Sequence, residues 1–563
     1  MNKPLLRPSQ DVLVKNLAAL QLAQPELHER VHWPVGGGHL KISPEGNWMY
    51  QLRGESVPFG LDNQALAESL ESANLATTNK LFLFGLGLGE QLEALLKRVP
   101  AFQVTAWDRD PWVLRQVLCL HDWSEAIAEG TLRFALGSDI LGYAGKISLD
   151  EVIWHPLLAN VYQNERTLFE RDLSDKRALL CTGELFVDSF ADCLRAEGYS
   201  VFSYDVQHLS GEELELALKA FDPQVVCAIN CVNGLAEFCA EHDVEYIAWE
   251  IDPATDSLPA LQRSAPKAHI FTHRESNVES FTSAGYENVT YLPLAADINR
   301  RRPLGLTPEE QGKYGSNVSF VGSSLVGNVQ AFQRTFASQF NAWRADSAET
   351  CAKGMAEILQ SQREHLSTYL IPEALESKFP GFRDHCRNNA LEDPAILLGE
   401  VSTAQKRLDF VASFIDDNIQ VWGDDGWRFC AAQGCNYRGP ALHETELPLI
   451  YNASTINLDI GRLYQDDIVT MRIFDILACG GFVLAEHSLA LTDLFEVGVE
   501  VESYRSLDEL KTKVAYYLAN PVKAQSIAAR GRLAVLDRHT FSGRVRTMLA
   551  TLDKAPGMGS VAA

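Results

Sequence analysis

Short apolar runs separated by amphipathic stretches set the rhythm of this chain. Residues 11–31 place Val12, Leu17, Leu20 and Leu27 at helical spacing, and glycine-containing, strand-like pieces follow over 39–55. The run LFLFGLGLGEQLEALLKRV (81–99) then gives an apolar strand, a glycine turn and an amphipathic helix, and FQVTAWDRDPWVLRQVL (102–118) a second strand ending in acids. This is a β-α-β unit with the look of a nucleotide fold. From about 175 to 300 the alternation is regular. RALLCT, YSVFSYD, QVVCAIN, EYIAWEID, HIFTH and VTYLPLA read as buried strands with helical stretches between most of them. Strands spaced by 10–15-residue helices predict a parallel sheet with right-handed crossovers. A third zone opens at NVSFVGSS (317–324), detours through helical sequence from about 327 to 415, and resumes with NIQVWGDD, STINLDI and GFVLAE.

The predicted fold is α/β: two Rossmann-like domains preceded by a further Rossmann-like module. The boundaries read as 1–172 for the accessory module, 173–312 for the first domain, 313–553 for the second domain with its helical insertion, and 554–563 for a frayed tail. At 563 residues, the length accommodates three or four domains.

Composition narrows the functional classes. Lysine plus arginine number 49 against 74 aspartates and glutamates, a net charge of −25. Such a surface repels polyanions, which argues against nucleic-acid binding. Eleven cysteines lie scattered without a CxxC pair, so a structural zinc site is not expected and reduced thiols in the cytoplasm are. No apolar run approaches about 18 residues and the first dozen residues lack a signal-like apolar stretch. The expectation is a cytoplasmic protein without a membrane span, with peripheral membrane attachment left open.

The most informative stretch is YNASTINLDIGRLYQDDIVTMRIFDILACGGFVLAE (451–486). A strand leads through a polar loop to Arg472 at a helix start. Asp475 follows within the first turns, and Gly480 closes the helix. Free N–H groups at a helix N-terminus and a forked guanidinium suit a diphosphate, and an acid one turn in suits vicinal hydroxyls. The plain alternative is an i,i+3 ion pair between Arg472 and Asp475.

This segment resembles the C-terminal domain of the CgeB-like (spore maturation protein) glycosyltransferases, a GT-B group. The resemblance rests on STINL, MRIFDILACGGFVL, SLDELKTKVAYYL, SIAARG and HTFSGR, in order over about 440–550. Asp475 stands where that family usually has glutamate. Upstream, AGYENVTYLPLAADINRRRP and YGSNVSFVGSS look like the junction between the two GT-B domains. The resemblance implies donor binding by Gly322, Ser323 and Ser324, whose bland reading is a β-turn. It adds Gly423 and the Tyr437–Pro440 stretch with Gly439 near the nucleotide base, and Asn457, Arg472, Asp475 and Gly480. Tyr437 reads equally as a packing aromatic.

In the first Rossmann domain, Glu250 and Asp252 follow a strand's C-terminal end, where ligands of open α/β sheets sit. With Arg472 they are the catalytic candidates, Asp252 foremost as a general base. Helix N-caps at Asp252 or Asp256 are the alternative. His273 and Gly183 lie at analogous strand ends.

The N-terminal FGLGLGE carries Gly85, Gly87 and Gly89 after a strand, with Asp108 at the end of the next. That pattern fits a possible second nucleotide site of the S-adenosylmethionine type, although a lone glycine fingerprint is weak. The same region also resembles the N-terminal part of the motility-associated-factor (Maf) flagellin glycosyltransferases, in which the fold would be accessory. Together the resemblances imply a metal-independent GT-B transferase. It would take a nucleoside-diphosphate sugar as donor and a protein (such as flagellin) or a glycan as acceptor, with no cofactor required. The alternatives are methyl transfer by the N-terminal module and a catalytically silent scaffold.

Overall fold

The structure is a computed structural model that describes residues 7–552 apart from 37–38, 53–54, 72–78, 101, 183–184, 253–259, 345–347 and 367. Gly183, Asp256 and the expected tail lie outside the described residues. The chain divides into two compact units, Met1–Ala248 and Trp249–Ala563. That division falls inside a strand, Glu245–Glu250, rather than at the boundaries read from the sequence.

The first unit opens with helices Gln10–Ala23 and Pro25–Val31 and a small antiparallel sheet of β1 (Leu40–Ile42), β2 (Trp48–Leu52) and β3 (Glu55–Pro58). A four-stranded parallel sheet follows: β4 (Lys80–Phe84), β5 (Gln103–Asp108), β6 (Leu132–Leu136) and β7 (Val152–Trp154), in the order β6-β5-β4-β7. The interior residues of β4 are fully buried, as expected for a strand covered on both faces. The unit continues with β8 (Arg177–Thr182), β9 (Ser200–Asp205) and β10 (Val225–Ile229); β8 lies between β9 and β10, all parallel. β11 (Glu245–Glu250) carries the chain out of the unit.

The second unit contains the parallel pair β12 (Ala268–Thr272) and β13 (Asn288–Tyr291). Its main sheet is six-stranded and parallel: β14 (Ser316–Val321), β15 (Gln420–Trp422), β16 (Asn436–Tyr437), β17 (Ser454–Leu458), β18 (Val483–Glu486) and β19 (Glu502–Tyr504). The order β16-β15-β14-β17-β18-β19 is the 3-2-1-4-5-6 arrangement of a dinucleotide fold. Its core gathers Val318, Phe320, Ile456, Leu458 and Leu484 from the strands against Phe410, Val514 and Ile527 from helices.

Between β14 and β15 lie five helices, Val329–Trp343, Ala348–Arg363, Ile371–Lys378, Phe382–Asn388 and Pro394–Ala412, which are the insertion the sequence announces. Most of them have their own core, in which Phe336, Phe340, Phe379 and Phe382 pack edge to face. The last helix is buried on nearly every side and runs back under the main sheet's ligand edge.

Candidate functional site

In a doubly wound sheet, ligands sit beyond the strand C-termini where the strand order reverses. In the second unit that point lies between β14 and β17. β14 ends at Gly322, whose N–H donates to the Trp422 carbonyl at 3.0 Å. A Cβ on Gly322 would sit 2.9 Å from Arg472 Nη2, so the glycine makes room for the guanidinium. β17 ends just before Asp459.

Arg472 is the second residue of helix Met471–Ala478, behind the N-cap Thr470. Its Nε donates to the Val321 carbonyl at 2.7 Å and its Nη1 to Asp459 Oδ1, which also accepts from the Thr470 hydroxyl at 2.7 Å. The guanidinium lies 4.9 Å over the Phe320 ring and keeps 15% of its side chain exposed. Two of its corners are pinned, and the third faces the glycine loop.

A second cation stands behind it. Arg407, from the buried helix Pro394–Ala412, donates Nη1 to the Ser323 carbonyl at 2.7 Å and Nη2 to the Ile460 carbonyl at 3.1 Å. Its Nε is buried without a partner. Burial, with Arg472 and Arg462 nearby, pushes this guanidinium down to about 9. Lys406 is neutralised by Glu486 and Arg462 by Glu400. Asp459 pairs with Arg472, whereas Arg407 makes no ion pair among the described residues and meets Glu400 and Asp459 only through their field. A pocket whose own field disfavours its cations is one that an anion would stabilise.

The neighbouring loops are knit together. Gly423 has a φ of 156°, and a side chain there would collide with the Gly322 carbonyl. Its N–H donates to the Gly439 carbonyl at 2.9 Å, and its carbonyl accepts from the Tyr437 hydroxyl at 3.2 Å. Asp424 accepts from both hydroxyls of Ser323 and Ser324, from the Ser324 N–H and from the Gly426 N–H. Burial favours its neutral form, but these donors outweigh that and hold it below the usual carboxylate range. The serine hydroxyls are thus engaged by Asp424 and order the loop. Gly439, with φ at 89°, has open space around it.

Several predicted residues take other places. Asp475 is buried and paired with Arg301 Nε at 3.0 Å, and Arg301 Nη2 reaches His443 at 3.0 Å. Arg472 and Asp475 therefore do not form the i,i+3 pair; each has its own partner. Burial raises the Asp475 carboxyl against the pull of Arg301. Asn457 is buried in the sheet, accepting from the Ser319 hydroxyl at 2.8 Å and donating to the Tyr451 and Phe482 carbonyls, so it joins strands rather than facing a ligand. Gly480 (φ 79°) ends helix Met471–Ala478 in the left-handed conformation. Glu250 is buried at the end of β11, while Asp252 is exposed two residues on. The Glu250 carbonyl accepts from His273 Nδ1 at 3.0 Å, and burial lowers that imidazole to about 4.

Arg407, Asp424, Asp459 and Arg301 were not singled out from the sequence. Arg407 did leave a signal: adjacent Lys406 and Arg407 sit within a helix otherwise buried all round, and buried charges are kept only with partners or for use.

In the first unit the N-terminal glycines occupy the equivalent turn after β4. A Cβ on Gly87 would collide with His155 Nε2, one on Gly85 would meet Leu158 at 2.8 Å, and one on Gly89 would meet Trp123 at 2.7 Å. Asp108 is fully buried and accepts from the Leu86 N–H at 2.8 Å, the Asp110 N–H at 3.0 Å and the Tyr162 hydroxyl at 2.8 Å. Burial and neighbouring Asp110 push it up to about 7. At each of these three glycines a neighbouring side chain stands where a Cβ would be.

Residues 401–550 match the family model described as "Glycosyl transferase-like", and that stretch contains Arg407, Asp459 and Arg472. No curated protein sequence matches the chain. Among solved structures, the chain is similar to a glycosyltransferase from Rickettsia africae (10% identity, TM-score 0.38, covering 68% of this chain and 98% of that one). It is also similar to Anabaena HepE with UDP and glucose (13%, 0.41, 68% and 100%) and to a Maf glycosyltransferase from Magnetospirillum magneticum (14%, 0.20, 52% and 57%). At these identities and scores the chemistry of those proteins does not carry over. The chain thus has a glycosyl transferase-like domain over 401–550, set within parallel α/β sheets. Among the described residues, no helix is long and apolar enough to cross a membrane.

Proposed function

We propose that this protein transfers a glycosyl group from a nucleoside-diphosphate sugar to an acceptor nucleophile by a metal-independent GT-B mechanism. One observation carries the reading: two guanidiniums, Arg472 and Arg407, converge with a helix N-terminus on the Gly322–Ser323 turn at the sheet's switch point, and Arg407 has no ion-pair partner among the described residues. The family match over the same residues supports it. In the mechanism, the diphosphate lies against Gly322 and the start of helix Met471–Ala478. Arg472 Nη2 takes the charge that builds on the leaving diphosphate as the glycosidic bond breaks. The guanidinium is already fixed by Val321 and Asp459, so little reorganisation is needed. Arg407 acts from behind through the field and by holding the Ser323 carbonyl. Tyr437 and Gly439 border the base side, and the Arg301–Asp475 pair orients the sugar or ribose hydroxyls.

Glu250 and Asp252 are the acceptor-side carboxylates of this reading, with exposed Asp252 as the base. A protein such as flagellin, or a glycan, is the acceptor class. The CgeB-like group is the subfamily this reading favours, with domains at 1–172, 173–312 and 313–553 and action in the cytoplasm. The test incubates purified protein with a panel of nucleotide sugars and measures released nucleoside diphosphate. Release from at least one donor, with nucleoside diphosphates raising the melting midpoint, is the expected result. No release across the panel, together with an unmoved midpoint, overturns the proposal.

A further inference from the structure

A second cluster of chemistry lies in the first unit, unconnected with the transfer reaction. Asp205 ends β9, its side chain 2% exposed, and faces two imidazoles, His39 from the start of the β1–β2 sheet and His208 from the turn after β9. His208 Nδ1 lies 3.0 Å from Asp205 Oδ2, and His39 Nε2 lies 3.4 Å from the same oxygen. One ligand atom from each of the three residues fits within a mutual span of 4.8 Å. The imidazoles keep 31% (His39) and 22% (His208) of their side chains exposed, so the cluster is closed at the carboxylate and open on the histidine side.

Charge and geometry point the same way. Among the described residues, no lysine or arginine pairs with Asp205; its ion-pair partners are the two histidines. Its Oδ1 accepts the Gln207 and His208 N–H groups at 3.0 and 3.2 Å, which fixes the carboxylate, and His208 Nδ1 lies within reach of both oxygens, 3.1 Å from Oδ1 and 3.0 Å from Oδ2. A tetrahedral zinc with bonds of about 2.0–2.1 Å separates its ligand atoms by about 3.4 Å. The His208–Asp205 and His39–Asp205 spacings, 3.0 and 3.4 Å, are close to that value. The rings of Trp112 and Tyr50 flank His39 at 5.6 Å, walling the cluster with apolar surface. The loop carrying His39 is already tied to the same turn: the Gly36 N–H donates to the His208 carbonyl at 2.8 Å.

We propose that His39, Asp205 and His208 bind a divalent transition metal of the zinc class. Three protein ligands and one open position would staple His39 to the end of β9. A His₂Asp donor set suits zinc, cobalt or nickel over magnesium or calcium. The scattered cysteines gave no hint of it, because the ligands are separated by up to 169 positions in sequence and meet only in the fold.

The test is titration of the chelator-treated full chain with Co²⁺, read by visible absorption, and melting with and without Zn²⁺. One cobalt per chain should give ligand-field bands in the visible without the near-ultraviolet thiolate band that the free cysteines would produce. Zinc should raise the melting midpoint. His39→Gln and His208→Gln, at partly exposed positions, should each weaken cobalt at least tenfold and remove most of the zinc shift. Asp205→Asn should abolish both. Absence of binding at millimolar cobalt, a thiolate band, or unchanged affinity in both histidine variants would overturn the proposal.

Discussion

The molecule makes the same turn twice and uses it differently. In both units a buried parallel strand at the centre of a 3-2-1-4 order ends in glycine, and a loop after the fourth strand lies beside it. After β4 that space is taken by His155, a neutral imidazole held near a pKa of 3 by burial, together with Leu158 and Trp123. After β14 it is taken by Arg472, partly exposed and backed by Arg407, which has no ion-pair partner among the described residues. A glycine turn supplies only room. Whether the room is filled by neutral side chains or edged by guanidiniums decides whether it is packing or a site.

The sharpest way to break this comparison is to remove the cation. Arg472→Ala should lower glycosyl transfer by about 10²–10³-fold, the range seen when one preorganised donor to a leaving oxyanion is lost. Circular dichroism should be nearly unchanged, while the melting midpoint falls because buried Asp459 loses its ion partner. Retained transfer would make the two turns equivalent.

The filled turn is tested through acid sensitivity. His155 stays neutral in the fold, whereas in the unfolded chain it takes a proton below about 6.5. The unfolded state therefore binds more protons, and this contribution to stability is present above pH 6.5 and is lost as pH falls towards 3. In His155→Asn, whose amide oxygen can still accept the Leu158 N–H, the loss of stability between pH 6.5 and 4 should be smaller by a few kcal/mol, order of magnitude only. Urea unfolding at each pH measures it.

Smaller effects sharpen the contrast at the glycines themselves. Gly87→Ala places a methyl against His155 at a φ of 56° and should cost about 1–3 kcal/mol of stability, while turnover per folded molecule is unchanged. Gly322→Ala, whose methyl would meet Arg472 Nη2 at 2.9 Å and the buried Phe320 ring at 3.0 Å, should cost about 1–3 kcal/mol of stability. It should lower transfer about tenfold by displacing Arg472 Nη2. Steady-state kinetics on both variants reads the difference.

How far the sequence foretold this follows from the range of the forces. The strands, crossovers and helical insertion were legible because burial writes itself into local periodicity. Arg472 was legible because a strand, a polar loop and a helix start are contiguous. Asp459 sits inside the quoted STINLDI run yet reads as an ordinary strand-end acid until Arg472 and Thr470 are seen to converge on it. The pairing of Asp475 with Arg301, 174 positions away, and the His39–Asp205–His208 cluster carry no local mark at all. The N-terminal fingerprint has glycines and Asp108 spaced like a cofactor site, and only the fold reveals His155 packed against Gly87 and Tyr162 bonded to Asp108.

The central claim is best tested by calorimetric titration of nucleoside diphosphates into the wild-type chain, Gly87→Ala and Arg472→Ala. The account predicts one site per chain, unchanged in Gly87→Ala and weakened at least tenfold, about 1.4 kcal/mol, in Arg472→Ala. Equal affinity in the wild-type and Arg472→Ala proteins would contradict it.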